Sequence, residues 1–180
     1  SGIPDVLLAL ELAMGVQKFA ADHNCVGWNF IHKSIKGYHN AEKANGNIII
    51  GNNNNFNEFC NIHLPTNLTK KTVIGNNNYF MNSTTIDHDC FIENNVVLSS
   101  NVILGGNTHI MKEAQLGIRT IVHQNQIIGS YSMIGMNSLI TKKSIIEPGY
   151  IFYGRPVKRI KKNLIGLKRN KVKTDSLIKE

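Results

Sequence analysis

Large apolar residues recur at every sixth position through most of the chain. Counting in sixes from position 50 to position 152, all eighteen positions are Ile, Leu, Val or Phe. With 42% of the residues hydrophobic, chance would fill eighteen such positions in roughly 10⁻⁷ of random sequences. An α-helix repeats after about 3.6 residues and a strand after about 2, so neither maintains this spacing. The period therefore indicates a repeating architecture.

A second column of residues, four positions after each large apolar residue, holds mostly small or β-branched side chains. It includes Cys60, Thr66, Thr72, Thr84, Cys90, Val96, Val102, Thr108, Ala114, Thr120, Ser132, Ser138 and Ser144, whereas Gln126 and Tyr150 are exceptions. A three-sided prism explains both columns, because each hexad forms one short strand and one corner. Successive coils then stack as parallel strands about 4.8 Å apart. We predict that the large residues point into the prism and that the small residues fit the crowded corners.

Glycine and asparagine lie between the apolar steps, where the corners of such a prism would be. They cluster at residues 51–55, 75–78, 94–95 and 105–107. Tight corners demand a positive φ, which Gly and Asn tolerate best. The sequence therefore predicts an all-β fold, a left-handed parallel β-helix in which eighteen hexads make about six coils.

The two ends of the chain lack the six-residue period. We predict an N-terminal helical or irregular segment at residues 1–47, in which residues 4–21 form an amphipathic helix with Pro4 in its first turn. The β-helix domain occupies residues 48–156, and the turn Gly154-Arg155-Pro156 ends the prism. A basic helical segment follows at residues 157–180.

Composition excludes several classes of protein. No stretch reaches the roughly 18 uninterrupted apolar residues of a membrane span, and the apolar run at residues 6–14 contains Glu11 and follows no basic segment, unlike a signal peptide. The three cysteines show no CxxC spacing. This pattern indicates reduced thiols in a cytoplasmic protein, without a disulfide framework or a metal cluster.

Positive charge is concentrated at the C-terminal end. The chain carries a net charge of +8, and residues 142–180 contain twelve Lys or Arg and three acidic residues. The segment lacks interleaved aromatic residues and any recognisable nucleic-acid module, so no nucleic-acid partner is predicted. A site for phosphates or an acidic partner protein is the favoured interpretation, and a solvated surface is the alternative.

His88 is the histidine best placed for catalysis. The others are His23, His32, His39, His63, His109 and His123. Asp87 and Asp89 flank His88, and a carboxylate can hold an imidazole in one tautomer and stabilise its protonated form, as a general base requires. Gly106 lies eighteen residues later, one coil further along the prism, where its N–H could act as an oxyanion donor.

Several motifs resemble the UDP-N-acetylglucosamine O-acyltransferase family of lipid A synthesis, within the hexapeptide-repeat superfamily. They are Met81-Asn82, Ile86-Asp87-His88-Asp89-Cys90, Leu104-Gly105-Gly106, Val122-His123-Gln124 and Ile165-Gly166-Leu167-Lys168-Arg169, together with Ile62-His63 and Gly75-Asn76. The resemblance runs from about residue 36 to residue 171. His-Asp pairs also occur in other sugar acetyltransferases with this prism, so the combination of motifs is more specific than the pair alone.

This resemblance implies an enzyme that moves a 3-hydroxyacyl group from acyl carrier protein to the 3-position of a UDP-N-acetylglucosamine-type sugar, without a cofactor. His88 would be the general base, Asp89 its orienting partner, and the Gly106 N–H the oxyanion donor. The implied substrate-binding residues are Lys36, His63, Thr85, Asn107, His123, Gln124, Asn163 and Arg169. The implied assembly is a homotrimer with its sites between subunits. Met136 aligns where the family sets acyl length, which predicts chains of about ten carbons, unless this Met only fills a gap at a corner.

Three other functions remain open. The first is an acetyl-coenzyme-A-dependent acetyltransferase acting on a nucleotide sugar or sialic acid, which would bind coenzyme A. The second is a carbonic anhydrase on the same prism, with a metal held by histidines across a subunit interface. The third is a trimeric scaffold without activity.

Overall fold

The computed structural model describes residues 29–30 and 47–172. The predicted N-terminal helix and almost all of the segment before residue 47 lie outside this part of the chain. The described residues form short strands in three sheets, which are the faces of a prism. The predicted left-handed parallel β-helix is confirmed. Slightly fewer complete coils are present than the six predicted.

Successive coils add one strand at a time to each sheet, except that the last coil adds none to sheet 2 and two, β17 and β18, to sheet 3. Sheet 1 consists of β1 (Asn29–Phe30), β4 (Cys60–Ile62), β7 (Thr85–Ile86), β10 (Ile103–Leu104), β13 (Ile121–Val122) and β16 (Leu139–Ile140). Sheet 2 consists of β2 (Asn47–Ile50), β5 (Lys71–Ile74), β8 (Phe91–Ile92), β11 (His109–Ile110) and β14 (Ile127–Ile128). Sheet 3 consists of β3 (Asn55–Phe56), β6 (Tyr79–Phe80), β9 (Val97–Leu98), β12 (Gln115–Leu116), β15 (Met133–Ile134), β17 (Tyr150–Gly154) and β18 (Val157–Lys162).

The chain passes from sheet 1 to sheet 2 and then to sheet 3 in every coil. We call the corner after sheet 1 edge 1, the corner after sheet 2 edge 2, and the corner after sheet 3 edge 3. Strands pair in parallel with a regular offset of eighteen residues, as between Ile86 and Leu104 and between Leu104 and Val122. Residues eighteen apart therefore stack along one edge.

The core is the predicted column of large apolar residues. Sixteen of the eighteen are buried, none more than 4% exposed: Phe56, Ile62, Ile74, Phe80, Ile86, Ile92, Leu98, Leu104, Ile110, Leu116, Val122, Ile128, Ile134, Ile140, Ile146 and Phe152. Complete burial of one such side chain stabilises the fold by about 1.5–3 kcal/mol. Ile50 packs against this core from a half-buried position.

Leu68 departs from the predicted column, since it is 68% exposed. The offset between Ile62 and Ile86 is 24 residues, one hexad more than in the later coils. The extra hexad leaves the prism as a loop at residues 63–70, which we call the inserted loop. Because the insertion has the length of one hexad, it keeps the sequence period intact while carrying Leu68 and Thr66 to the surface.

The corners confirm the predicted role of asparagine and correct that of glycine. Residues with positive φ recur every six positions: Asn53, Phe59, Asn77, Ser83, Asp89, Asn95, Asn101, Asn107, Glu113, Arg119, Asn125, Tyr131 and Asn137. In the described part, two glycines have positive φ: Gly149, which continues this series, and Gly154, which lies in the hairpin turn. The glycines of the corner clusters predicted above, such as Gly75 and Gly105, are not among them. At Gly75 the requirement is space instead, because a Cβ there would lie 2.9 Å from the carbonyl oxygen of Glu93 in the next coil.

A helical segment was predicted from residue 157, but residues 157–162 form the strand β18 instead. The chain turns back after Gly154, and β18 pairs with β17 as an antiparallel hairpin. Up to residue 172, where the described part of this segment ends, the helix is limited to the six residues of α1 (Leu164–Arg169). Pairing with the last strand of sheet 3 satisfies the backbone groups of residues 157–162, which the local sequence could not reveal.

Candidate active site

Edge 1 brings four of the predicted site residues into one row. His63 follows β4, His88 follows β7, Gly106 follows β10 and His123 follows β13. The backbone of each corner is fixed to the next, since the His63 N–H donates to the Ile86 carbonyl at 2.9 Å and the His123 N–H to that of Ile140 at 2.9 Å. Residues far apart in the chain therefore share one surface of the prism.

His88 and Asp89 form a hydrogen-bonded pair. The imidazole Nδ1 lies 2.9 Å from Asp89 Oδ2. The Asp89 side chain is 3% exposed and that of His88 is 20% exposed, so the carboxylate is buried beneath a ring that reaches the surface. Asp89 occupies the positive-φ position of its corner, with φ 61°. Because the chain turns at Asp89, its carboxylate points back to the imidazole of the preceding residue, and the two side chains form a hydrogen bond.

Gly106 lies directly against the His88 ring. A Cβ at this position would overlap Cε1 and Nε2 of the imidazole, so only glycine leaves room for the ring as it is placed. The neighbouring Asn107 N–H donates to the His88 carbonyl at 2.8 Å, and the Gly106 carbonyl accepts from the Asn125 N–H at 2.9 Å. Within the described residues, the Gly106 N–H has no backbone acceptor. This donor stands beside the imidazole.

The inserted loop forms hydrogen bonds with the carboxylate of Asp89, a contact that sequence reasoning missed. Thr66 donates twice, from its backbone N–H to Asp89 Oδ1 at 3.0 Å and from its hydroxyl to Oδ2 at 2.8 Å. Lys70 Nζ lies 3.2 Å from Oδ2. The Asp89 N–H donates to Thr72 Oγ1 at 3.0 Å. No periodic signal identifies these partners, because the loop interrupts the stacking that makes the other contacts predictable.

A second His-carboxylate pair adjoins the first. Asp87 Oδ1 accepts from His63 Nδ1 at 2.9 Å and from the His88 backbone N–H at 2.8 Å. Asp87 therefore links the histidines of two coils. The His63 and Asp87 side chains are 31% and 28% exposed, so this pair lies closer to solvent than Asp89 does.

Both aspartates are held in the ionised form. Burial raises the pKa of Asp89, but hydrogen bonds from His88, Thr66 and Lys70 outweigh it and leave the pKa below its ordinary value of 3.8. Burial likewise opposes ionisation of Asp87, and the bonds from His63 and His88 again lower the pKa below 3.8. Burial raises the pKa of the Cys90 thiol to about 12, so this neighbouring cysteine stays protonated.

The other predicted residues of edge 1 line the same surface. Thr85 lies on the outward side of β7, half-buried. Asn107 is exposed and donates from Nδ2 to Asn125 Oδ1 at 2.7 Å. His123 and Gln124 are exposed one coil further on, where His123 Nδ1 lies 2.9 Å from the Gln124 carbonyl oxygen.

Asn163, Arg169 and Met136 lie on parts of the described chain other than edge 1. Asn163 caps α1, where Oδ1 accepts from the Gly166 N–H at 3.1 Å and Nδ2 donates to the Tyr131 carbonyl at 2.9 Å on edge 2. Arg169 is exposed at the end of α1. Met136 is 63% exposed on edge 3. Lys36 lies outside the described residues.

No group of three or more His, Cys, Asp or Glu side chains is arranged to hold a metal ion in the described part of the chain. None of its helices combines the length and the apolar character needed to cross a membrane.

Comparison with known proteins places this geometry in context. No protein-family model and no curated protein matches the chain. A UDP-N-acetylglucosamine acyltransferase from Arabidopsis has a TM-score of 0.69 and 32% identity, covering 73% of this chain and 45% of that one. LpxA from Acinetobacter baumannii has a TM-score of 0.70 and 28% identity, covering 86% of this chain and 57% of that one. The resemblance to the UDP-N-acetylglucosamine O-acyltransferase family is confirmed. The chain spans about half the length of these relatives.

Acetyltransferases share the prism as well. The acetyltransferase domain of PglB from Neisseria gonorrhoeae, solved with acetyl coenzyme A, has a TM-score of 0.57 and 25% identity, covering 63% of this chain and 51% of that one. The N-acyltransferase AntD from Bacillus cereus has a TM-score of 0.56 at 20% identity, covering 68% of this chain and 78% of that one, which shows the common fold alone.

Proposed function

We propose that this chain is an acyltransferase that moves a 3-hydroxyacyl group from acyl carrier protein to the 3-hydroxyl of a UDP-N-acetylglucosamine-type sugar. One observation carries the proposal: His88, paired with the buried Asp89, stands directly over the Gly106 backbone. A base and an oxyanion donor within reach of one reacting carbonyl are the minimum that acyl transfer requires. The likeness to UDP-N-acetylglucosamine acyltransferases supports the choice of sugar.

The geometry suggests a simple sequence of steps. Asp89 engages Nδ1 of His88, so Nε2 takes the proton of the sugar hydroxyl. The resulting oxygen attacks the thioester carbonyl, and the Gly106 N–H donates to the oxyanion that forms. Collapse of this intermediate forms the ester and breaks the carbon–sulfur bond, and the leaving thiolate receives the proton from His88. The ionised Asp89 stabilises the imidazolium between these two steps.

The substrate would extend along edge 1 from this centre. His63 precedes His88 by one coil, whereas His123 and Gln124 follow it by two, so the row could contact both the sugar and the acyl donor. Thr85 lies on the strand that precedes His88, and the Asn107 N–H donates to the His88 carbonyl, so both could contact the same substrate. Lys36 stays a prediction.

A homotrimer would explain why Arg169 is distant from His88 in the single chain. Sites on stacked prisms form between subunits, and the exposed Arg169 of one protomer could face the edge 1 of its neighbour, where it would bind a nucleotide phosphate. A mixture of inactive His88→Ala and Arg169→Ala chains would then regain part of its activity after joint refolding. Chains that share no site would not complement each other.

The basic C-terminal segment suits an acidic partner such as acyl carrier protein. Its exposed cations include Lys158, Lys161 and Lys162 on β18 and Lys168 on α1. Charge of one sign concentrated on one end of the molecule accelerates association with a partner of opposite charge. A cytoplasmic location accords with these substrates and stays a prediction.

A transfer assay tests the function directly. The purified protein is incubated with UDP-N-acetylglucosamine and 3-hydroxyacyl carrier protein of ten or fourteen carbons, and the acylated sugar is measured. We expect product with the carrier substrate, and preference for ten carbons if Met136 limits the cleft. Preference for fourteen carbons rejects that role of Met136 and leaves it a gap-filling residue. Absence of product with either chain rejects the proposed function.

An acetyl-coenzyme-A-dependent acetyltransferase is the second candidate, and the PglB domain favours it. The same assay with acetyl coenzyme A separates the two, because this candidate predicts transfer from coenzyme A and indifference to acyl carrier protein. If neither donor is used, the chain is a scaffold without this activity.

A further inference from the structure

The inserted loop differs from the later corners of edge 1, because it contacts the carboxylate of the His88–Asp89 pair. In the later coils the corners of edge 1 follow directly into sheet 2. Here residues 63–70 fold back, so that Thr66 and Lys70 both reach Asp89 from 19 to 23 residues away. The loop also has hydrogen bonds of its own: Asn67 Oδ1 accepts from the backbone N–H groups of Thr69 and Lys70 at 3.0 and 3.1 Å.

We propose that Thr66 and Lys70 are positioning residues that tune the His88–Asp89 pair, an inference that rests on the proposed function for its kinetic part. Asp89 Oδ2 accepts from His88, Thr66 and Lys70 together, at 2.9, 2.8 and 3.2 Å. With Oδ1 also bonded to the Thr66 N–H, both oxygens are fixed. The carboxylate therefore cannot rotate away from the imidazole, and its charge is shared between a histidine and a lysine.

The lysine and the threonine act in different ways. The Lys70 cation lies within about 6 Å of His88 Nδ1, since both contact one oxygen, and at this distance two like charges in a water-like medium repel by about 0.7 kcal/mol. Loss of the Lys70 charge would therefore remove a repulsion that acts on the imidazolium of His88. Thr66 is uncharged and sets the orientation of the carboxylate, on which the direction of the ring depends.

Other charged groups also face the pair. Among the described residues these are Asp87 on the same corner and His63, which is bonded to Asp87. The Cys90 thiol behind the pair stays neutral because burial raises its pKa to about 12. The corner at residues 105–107 brings no titratable side chain. Since these groups are common to all the variants below, a difference between variants reports on the loop.

The electrostatic effect of Lys70 on His88 is tested with Lys70→Met and the matched control Lys71→Met. Lys71 is the next residue, also exposed, and forms no ion pair with a described residue. The ring protons of His88 are followed by NMR against pH, with the signal assigned by its loss in His88→Gln. We expect the titration midpoint to rise by about half a pH unit in Lys70→Met and to stay at the wild-type value in Lys71→Met. Equal midpoints in the two variants overturn the role of Lys70. This measurement needs no substrate, so it stands even if the proposed function fails.

Orientation is tested with Thr66→Val and Thr66→Ser. Valine keeps the shape and removes the hydroxyl donor, whereas serine keeps the donor. We expect kcat to fall about tenfold in Thr66→Val with little change in KM, and to recover in Thr66→Ser. A parallel fall of kcat in both variants, or wild-type kcat in Thr66→Val, overturns the role of the hydroxyl. Thermal unfolding of each variant separates this effect from loss of the fold.

Discussion

Edges 1 and 2 of the prism have the same backbone and opposite chemistry. On edge 2 asparagines form a ladder, in which Asn94 Oδ1 accepts from the Asn76 N–H at 2.6 Å and Asn76 Oδ1 accepts from the Asn52 N–H at 2.7 Å. These two side chains satisfy backbone N–H groups of the adjacent coil. On edge 1 the polar side chains bond to one another instead, as in His88 with Asp89 and His63 with Asp87. The asparagines of edge 2 therefore stabilise the prism, whereas the histidines and aspartates of edge 1 form the candidate active site.

His88→Ala should have the largest effect on activity among the substitutions that compare edge 1 with the rest of the prism. Loss of a general base lowers the rate by about 10²–10⁴-fold, so we expect acyl transfer to fall about a thousandfold while thermal stability is retained. His109→Ala is the matched control, because His109 also pairs with a carboxylate, Glu93, at 2.7 Å, but lies on sheet 2. If both variants keep nearly full activity, edge 1 is not catalytic.

Alanine at corner glycines gives the next largest contrast. At Gly106 a Cβ meets the His88 ring, which can move aside, so activity should fall about a hundredfold with the fold intact. At Gly75 a Cβ meets the backbone of Glu93, so Gly75→Ala should lower the free energy of unfolding by about 1–3 kcal/mol and spare the rate per folded molecule. Kinetics and chemical denaturation of both variants provide the check. The same change in rate and in free energy of unfolding for both substitutions would contradict this prediction.

The asparagine ladder of edge 2 should affect stability alone. Asn94→Ala leaves the Asn76 N–H without its acceptor, which costs about 1 kcal/mol in a partly exposed position. Asn94→Asp restores an acceptor and should recover most of this loss. Acyl transfer by either variant should equal that of the wild type, and a drop in kcat would show that edge 2 takes part in the reaction.

The smallest effect concerns acid stability. Asp87 and Asp89 have lowered pKa values in the folded chain, so their ionised forms stabilise the fold at pH values above the ordinary pKa of 3.8. This stabilisation is lost as pH falls through the lowered pKa. The unfolding free energy of Asp89→Asn should therefore depend less steeply on pH below about 4 than that of the wild type. Parallel curves in urea titrations across this range would contradict the assignment.

The spacing of six by itself determined the fold. A large apolar side chain at every sixth position can be buried continuously only if the chain coils with three hexads per turn, so the core of Phe80, Leu98 and Leu116 follows from pattern alone. The position of Gly106 beside His88 follows too, because residues eighteen apart stack. Asparagine at the positive-φ corners was equally predictable, since its conformational preference is local.

The contacts of the inserted loop and of the C-terminal hairpin were decided only by the tertiary structure. Leu68 fits the six-residue period and is nevertheless exposed. An insertion of six residues leaves the period of the sequence unchanged, although the inserted residues lie outside the prism. Thr66 and Lys70 reach Asp89 through that insertion, and β18 is a strand because the chain turns back onto β17. Such contacts depend on the path of a loop in space, and burial and hydrogen bonding select that path from many that the same residues permit.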